Sequence, residues 1–262
     1  MKRLVNVILV SAIAILLWLG FRELFMYMDL QQENDALRDS VVQIPKVDPE
    51  DQDSEDYLDP NDPFNRHIDF DSLKATNEDI VGWLYVPDTT IDYPILVGDS
   101  DEKYVHRNYE GEYSYPGSIF AFAGVQLDND DKIVLFGHNM MTRQMFGCLR
   151  EYKSSDYGRS HMKAYIYTPD RTKECTLFST FICYRNDELF GLKEDDVEKS
   201  LDEWLSSLNQ RSSYALDLPE NAGQIFILST CNGGSGVSTR LTVHFTVTKE
   251  KFGLSKAARQ IN

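Results

Sequence analysis

The sequence predicts a mainly β protein organised as a closed eight-stranded barrel, and three observations carry that expectation. Short runs of strand-like composition recur about eight times between Trp83 and Val247. Turn-forming Gly, Pro, Asn and Asp residues separate them. Residues 194–209, in the connection before the penultimate run, instead space Val197, Leu201, Trp204, Leu205 and Leu208 as the apolar stripe of a helix. Strands of this number and length avoid exposed sheet edges by closing on themselves.

The N-terminus begins Lys2-Arg3 and continues over residues 4–21 with only Asn6 and Ser11 as polar interruptions. Such a run is close to the roughly 20 residues that cross a bilayer and long for the apolar part of a signal peptide. Arg22, Glu23 and bulky Leu24, Phe25 and Met26 follow where a cleavage site would need small residues. The expectation is an uncleaved single-pass anchor. Lys2 and Arg3 favour a cytoplasmic N-terminus (residues 1–3), with everything after residue 21 outside the cell membrane.

Residues 31–38 are expected to extend the anchor as a short juxtamembrane helix. Residues 39–62 hold nine acidic side chains against one lysine, with Pro45, Pro49 and Pro60 among them. That composition predicts a solvated, disordered tether within residues 22–66, and a folded domain over 67–262. A helix is predicted over 70–79, and strands over 83–87, 91–95, 118–122, 132–136, 163–167, 175–183, 224–230 and 241–247.

The formal net charge of −16 excludes nucleic acid as a partner, because no basic stripe is available to neutralise phosphates. Four cysteines in an extracellular chain raise the question of disulfides. Cys175 and Cys183 would lie about 26 Å apart on one strand at about 3.3 Å per residue and cannot pair with each other. No structural disulfide is predicted. No pair of His67, His106, His161 and His244 has the spacing of a zinc site and no acidic loop resembles an EF-hand, so neither metal nor cofactor is expected. His244 is assigned to the polar face of its strand.

The chemistry concentrates at Ile227-Leu228-Ser229-Thr230-Cys231. Alternation puts Ser229 and Cys231 on one strand face and Thr230 on the other. A glycine-rich loop, Gly233-Gly234-Ser235-Gly236, separates this strand from one opened by Arg240, so an antiparallel return carries Arg240 back beside Cys231. Far upstream stands Gly137-His138-Asn139-Met140. A thiol becomes a nucleophile when a base or a cation favours its thiolate, and His and Arg are such neighbours.

With these residues the chain resembles the sortase family, and within it the class B sortases. The likeness covers roughly residues 70–248. It includes Asn77-Glu78-Asp79-Ile80-Val81-Gly82-Trp83-Leu84, Ile91-Asp92-Tyr93-Pro94-Ile95, Gly117-Ser118-Ile119-Phe120, Phe136-Gly137-His138-Asn139-Met140, Met145-Phe146-Gly147 and the Leu228-Ser229-Thr230-Cys231 strand followed by an arginine. The segment between Cys231 and Arg240 is shorter and richer in glycine than is usual in that class.

The resemblance implies a sortase β-barrel with N-terminal helices and a long helix before the cysteine strand. It implies a Gram-positive cysteine transpeptidase that cuts a sorting signal of Asn-Pro-x-Thr type through a thioester and joins the product to a peptidoglycan or lipid II amine. Its partners would be sorting-signal-bearing surface proteins, the amine acceptor and, through the N-terminal helix, the membrane. Cys231 would be the nucleophile, His138 the acid and base, and Arg240, which stays charged, the electrostatic partner. Ser229 is expected to touch substrate, and Asn139 to orient His138 or hold its turn. Two alternatives are an L,D-transpeptidase, whose Gly-Cys-x-Arg pattern this chain lacks, and a non-catalytic surface-binding protein with a buried cysteine.

Overall fold

The computed structural model describes residues 2–45, 58–191, 199–233 and 238–252. Residues 46–57 of the expected acidic tether, residues 194–198 of the expected 194–209 helix, most of the glycine-rich loop (234–237) and the last ten positions of the 67–262 domain lie outside the described residues. The chain divides into two units, Met1–Ser40 and Val41–Asn262.

The first unit consists of helix α1 (Lys2–Val41). Within it Arg3–Arg22 is a 20-residue stretch long and apolar enough to cross a membrane by length and composition. At about 1.5 Å per residue it matches the roughly 30 Å hydrocarbon thickness of a bilayer. Residues 31–38 extend the same helix, as expected, and no proline or glycine interrupts the backbone between residues 21 and 41.

The second unit opens with β1 (Val42–Gln43) paired antiparallel to β2 (His67–Ile68). Helix α2 (Phe70–Thr76) starts where the Asp69 carboxylate accepts the Ser72 N–H at 3.0 Å, and it stops at Asn77. The strands then follow: β3 (Ile80–Tyr85), β4 (Asp92–Val97), β5 (Ile119–Ala121) and β6 (Lys132–Phe136). After helix α3 (Ser155–Ser160) come β7 (Lys163–Tyr167), β8 (Arg171–Tyr184), helix α4 (Leu201–Gln210), β9 (Ile225–Cys231) and β10 (Thr239–Phe252).

Strands β3 to β10 close into a barrel in the order β10-β8-β7-β3-β4-β5-β6-β9, as the sequence predicts. The pairs β4–β5 and β6–β9 are parallel and the rest antiparallel. Trp83, Ile95, Ile133, Leu135, Leu177, Ile227 and Val243 are fully buried. Trp83 also donates its Nε1–H to Asp92 at 2.6 Å, and Asp92 in turn holds Arg66 at 2.6 Å. A half-buried carboxylate satisfied by two donors can sit at the edge of an apolar core.

Strands β8 and β10 run longer than their apolar segments predict. Beyond Cys175 and Val247 they continue as a ribbon in which Lys249 faces Glu174, Glu250 faces Lys173 and Phe252 faces Arg171. Opposite charges across an antiparallel pair support strand structure where hydropathy gives no signal. Helix α4 begins at Leu201 rather than upstream, because Ser200 and Glu203 form a reciprocal capping box.

The assignment of His244 to a polar strand face is corrected: its side chain is fully buried, with the Phe181 ring at 4.6 Å and the Phe178 ring at 6.1 Å. Helix α4 covers this side of the barrel, with Asn209 Nδ2 donating to Phe178 O at 2.8 Å and Ser179 Oγ to Leu208 O at 2.6 Å. Both faces of β10 are therefore enclosed over Leu241–Val247, and strict inside–outside alternation fails.

Candidate active site

Strands β6 and β9 run parallel with Phe136 opposite Ser229, so the residues leaving β6 lie beside those ending β9. Three hydrogen bonds lock the two chain segments together. Gly137 N–H donates to Ser229 O at 3.3 Å, Thr230 Oγ1 to Gly137 O at 2.7 Å, and Asn139 Nδ2 to Cys231 O at 2.8 Å. Thr230 thus spends its hydroxyl on the turn that presents His138. Asn139 donates to the cysteine's own carbonyl, which ties the His138 turn to the end of β9.

On the other side of β9, Arg240 of β10 stands directly opposite Cys231 in the antiparallel register. Cys231, His138 and Arg240 line one cavity of about 420 Å³, floored by Phe120, Phe122 and Phe136. The Phe122 and Phe136 rings stack at 4.6 Å. The Arg240 guanidinium lies over Phe136 at 5.4 Å and Phe190 at 5.9 Å, and no carboxylate is within ion-pair distance of it among the described residues. A planar cation resting on aromatic faces keeps its N–H donors available to an incoming anion.

His138 is half-buried, and its Nε2 lies 3.0 Å from Val105 O. Burial is the main force holding its basicity below the ordinary value of 6.5; His106 and Arg240 push the same way, while the Val105 hydrogen bond opposes them. The neutral ring therefore predominates at pH 7. Cys231 is partly exposed, whereas Cys148, Cys175 and Cys183 are buried.

Ser229 is fully buried; its Oγ has no hydrogen-bond partner among the described residues, and it does not line the cavity. The phenylalanine floor, Asp101, Glu102 and Arg185 also belong to the cavity wall, and the sequence gives little sign of them. The Phe120-Ala121-Phe122 alternation, with both rings on one side of β5, is the one pattern that could have pointed there.

No protein-family model matches the chain. Sortase B of Listeria monocytogenes is 32% identical over 165 residues, which cover 61% of this chain and 65% of that protein. Sortase B of Staphylococcus aureus is 27% identical over 178 residues, covering 66% and 72%. The chain thus spans somewhat less than two thirds of the Listeria relative. Among solved structures, Clostridium perfringens sortase B superposes with a TM-score of 0.60 at 27% identity, covering 68% of this chain and 98% of that one. Sortase B from Bacillus anthracis, at 24% identity, shares the fold with a TM-score of 0.65 over 87% of this chain and 99% of its own. By sequence likeness and barrel topology together, this chain resembles the class B sortases and shares their fold.

Proposed function

We propose that the chain is a membrane-anchored cysteine transpeptidase that cleaves a sorting signal and transfers the new carboxyl end to a cell-wall amine. The observation that carries this reading is the convergence of Cys231, His138 and Arg240 on one cavity, from the end of β9, the turn after β6 and the start of β10, which lie side by side in the barrel. The apolar Arg3–Arg22 stretch supports an anchor, with Lys2 and Arg3 inside and the barrel outside.

The reaction starts when His138 takes the Cys231 proton and the thiolate attacks a backbone carbonyl of the sorting peptide. Arg240 faces the oxyanion that develops, where a pre-oriented cation lowers the barrier. Collapse expels the peptide amine, which leaves with the proton held by His138, and the acyl group remains on sulfur as a thioester. An incoming primary amine then loses a proton to His138 and attacks the thioester. Cys231 departs as thiolate, and a new amide is left. Neutral His138 at pH 7 suits the second half of this cycle, and the charge it gains is paired with the thiolate in the first.

Mass spectrometry of the full-length chain, incubated with a small library of Asn-Pro-x-Thr peptides and either triglycine or a diaminopimelate-containing peptide, tests the reading. A thioester adduct on the peptide containing Cys231 is expected, together with an amide product in one amine arm. Intact peptides and unmodified protein in every combination would overturn it.

The role of Arg240 predicts a graded series. Arg240→Gln is expected to lower kcat/KM for the peptide by roughly 10²- to 10³-fold, the usual loss when a transition-state donor is removed. Arg240→Lys should recover part of that, since it restores charge but not the planar fork. Equal rates for the glutamine variant and the wild type would remove Arg240 from the chemistry.

A further inference from the structure

The His138 imidazole is held by a segment that the cysteine–histidine–arginine reading does not use. We infer that Val105 and His106 position His138: the Val105 carbonyl fixes its tautomer, leaving Nδ1 as the atom that exchanges protons, and the His106 ring fixes its plane. The inference rests on the transpeptidase reading for its catalytic consequence, though not for its geometry.

A main-chain carbonyl only accepts hydrogen bonds, so the 3.0 Å contact from His138 Nε2 to Val105 O places a hydrogen on Nε2 whether the ring is neutral or charged. The proton given to a leaving amine, and taken from an entering one, must then travel through Nδ1. A neighbouring acceptor sets the working nitrogen of a catalytic imidazole in the same way when it is a carboxylate. Here the acceptor is uncharged, so it orients the ring without strongly stabilising the imidazolium.

The His106 ring stacks on His138 with centroids 5.2 Å apart and 28° between planes, and the Tyr115 ring lies 6.2 Å from His138 at 22°. Both covering residues are solvent-exposed while His138 is half-buried, so they form a lid of rings over the base. His106 is itself oriented, with Nδ1–H donating to Tyr115 O at 3.0 Å.

The lid stands on a well-bonded loop. Ser118 N–H donates to Tyr104 O at 3.1 Å, Ser114 N–H to His106 O at 3.1 Å and Ser118 Oγ to Arg107 O at 2.8 Å. Gly117, at φ +59°, completes it: a Cβ there would collide with Val105 O, the atom that holds His138. The charged or titratable groups around His138 are His106, Tyr115, Arg240 and, in the cavity wall, Cys231, Arg185, Asp101 and Glu102.

The test uses the full-length chain in detergent, with ¹⁵N-labelled histidine. Long-range ¹H–¹⁵N spectra, with the His138 signals assigned by their loss in His138→Gln, should show the Nε2–H tautomer in the wild type at pH 7.5. His106→Ala should mix the tautomers, move the His138 titration upward toward 6.5 and reduce kcat roughly tenfold, with KM within twofold, as misorientation of a base does. His106→Phe keeps a ring in place and should restore most of the rate. Gly117→Ala should shift the tautomer balance in the same sense with a larger loss, about hundredfold.

An Nδ1–H tautomer in the wild type, or an unchanged kcat and titration in His106→Ala, would overturn the proposal. If the wild type turns over no sorting peptide, the catalytic reading fails, and the tautomer and titration measurements still decide whether His138 is positioned in this way.

Discussion

Replacing Cys231 with alanine is expected to lower peptide turnover by on the order of 10⁶-fold, to a level indistinguishable from the uncatalysed background. Losses of that size follow when the nucleophile of a covalent mechanism is removed, because the remaining groups have no bond to make. The three other thiols offer no substitute. Burial raises the Cys148 and Cys175 thiols above their ordinary range and pushes Cys183 up to about 11. At neutral pH these three are protonated as well as inaccessible.

A methanethiosulfonate reagent should therefore label one cysteine in the native wild type and none in Cys231→Ala. Near-wild-type turnover in that variant, or a labelling count that does not fall, would show that Cys231 is not the reacting sulfur. Cys231→Ser separates chemistry from fold: the barrel persists with an unchanged melting temperature, while a hydroxyl far less acidic than a thiol leaves the rate near that of alanine.

How much of this site could be read beforehand follows from the range of each signal. The juxtaposition of Cys231 and Arg240 is a local matter, two strands joined by a short loop, and the alternating pattern with its intervening glycines was enough to pair them. His138 lies 93 positions from Cys231 and reaches it through the parallel β6–β9 pairing. No periodicity reports which strands a barrel places side by side, so only the likeness to known sequences brought that residue in.

The Val105 carbonyl and the His106 ring were invisible for a different reason. One is a backbone atom, and the other stood as an unremarkable loop histidine among tyrosines. Their significance depends on a fold-back of the 104–118 loop that Gly117 permits, and a left-handed φ is not apparent in a sequence until the turn is seen. Hydropathy underestimates strand length where charge pairing sustains the ladder, as in the Lys173–Glu250 stretch. Alternation places His244 on a wet face of β10, and α4 removes that face.

That buried histidine should make the folded domain sensitive to mild acid. Desolvation, with a further contribution from Arg211, holds the His244 pKa down to about 3 from 6.5, while the Ser179 backbone and Asp187 act weakly in the other direction. Between those two values the unfolded chain binds a proton that the folded chain refuses. Stability is then unaffected above about pH 6.5 and falls as the pH drops through the window toward 3. At about 1.4 kcal/mol per pH unit the loss approaches roughly 4 to 5 kcal/mol at the lower limit, a large share of the stability of an ordinary domain.

His138, whose pKa is also depressed, adds to the loss with the same sign. Asp79 and Asp69, held below 3.8, and Glu203, held below 4.5, withdraw their contributions only below those values, so the interval from pH 6.5 to 5 isolates the histidines, and the carboxylates below it are common to the wild type and a His244 variant. His244→Leu removes the buried base at similar volume, and both ring nitrogens it replaces lack a hydrogen bond of normal geometry. The variant should match or exceed the wild type in denaturant stability at pH 7.5, because no stabilising hydrogen bond is lost. Its stability should then decline less steeply between pH 6.5 and 4, as followed by urea melts at half-unit steps. Parallel declines for the two proteins over that interval would mean that His244 takes up its proton in the folded barrel, and that the acid sensitivity arises elsewhere.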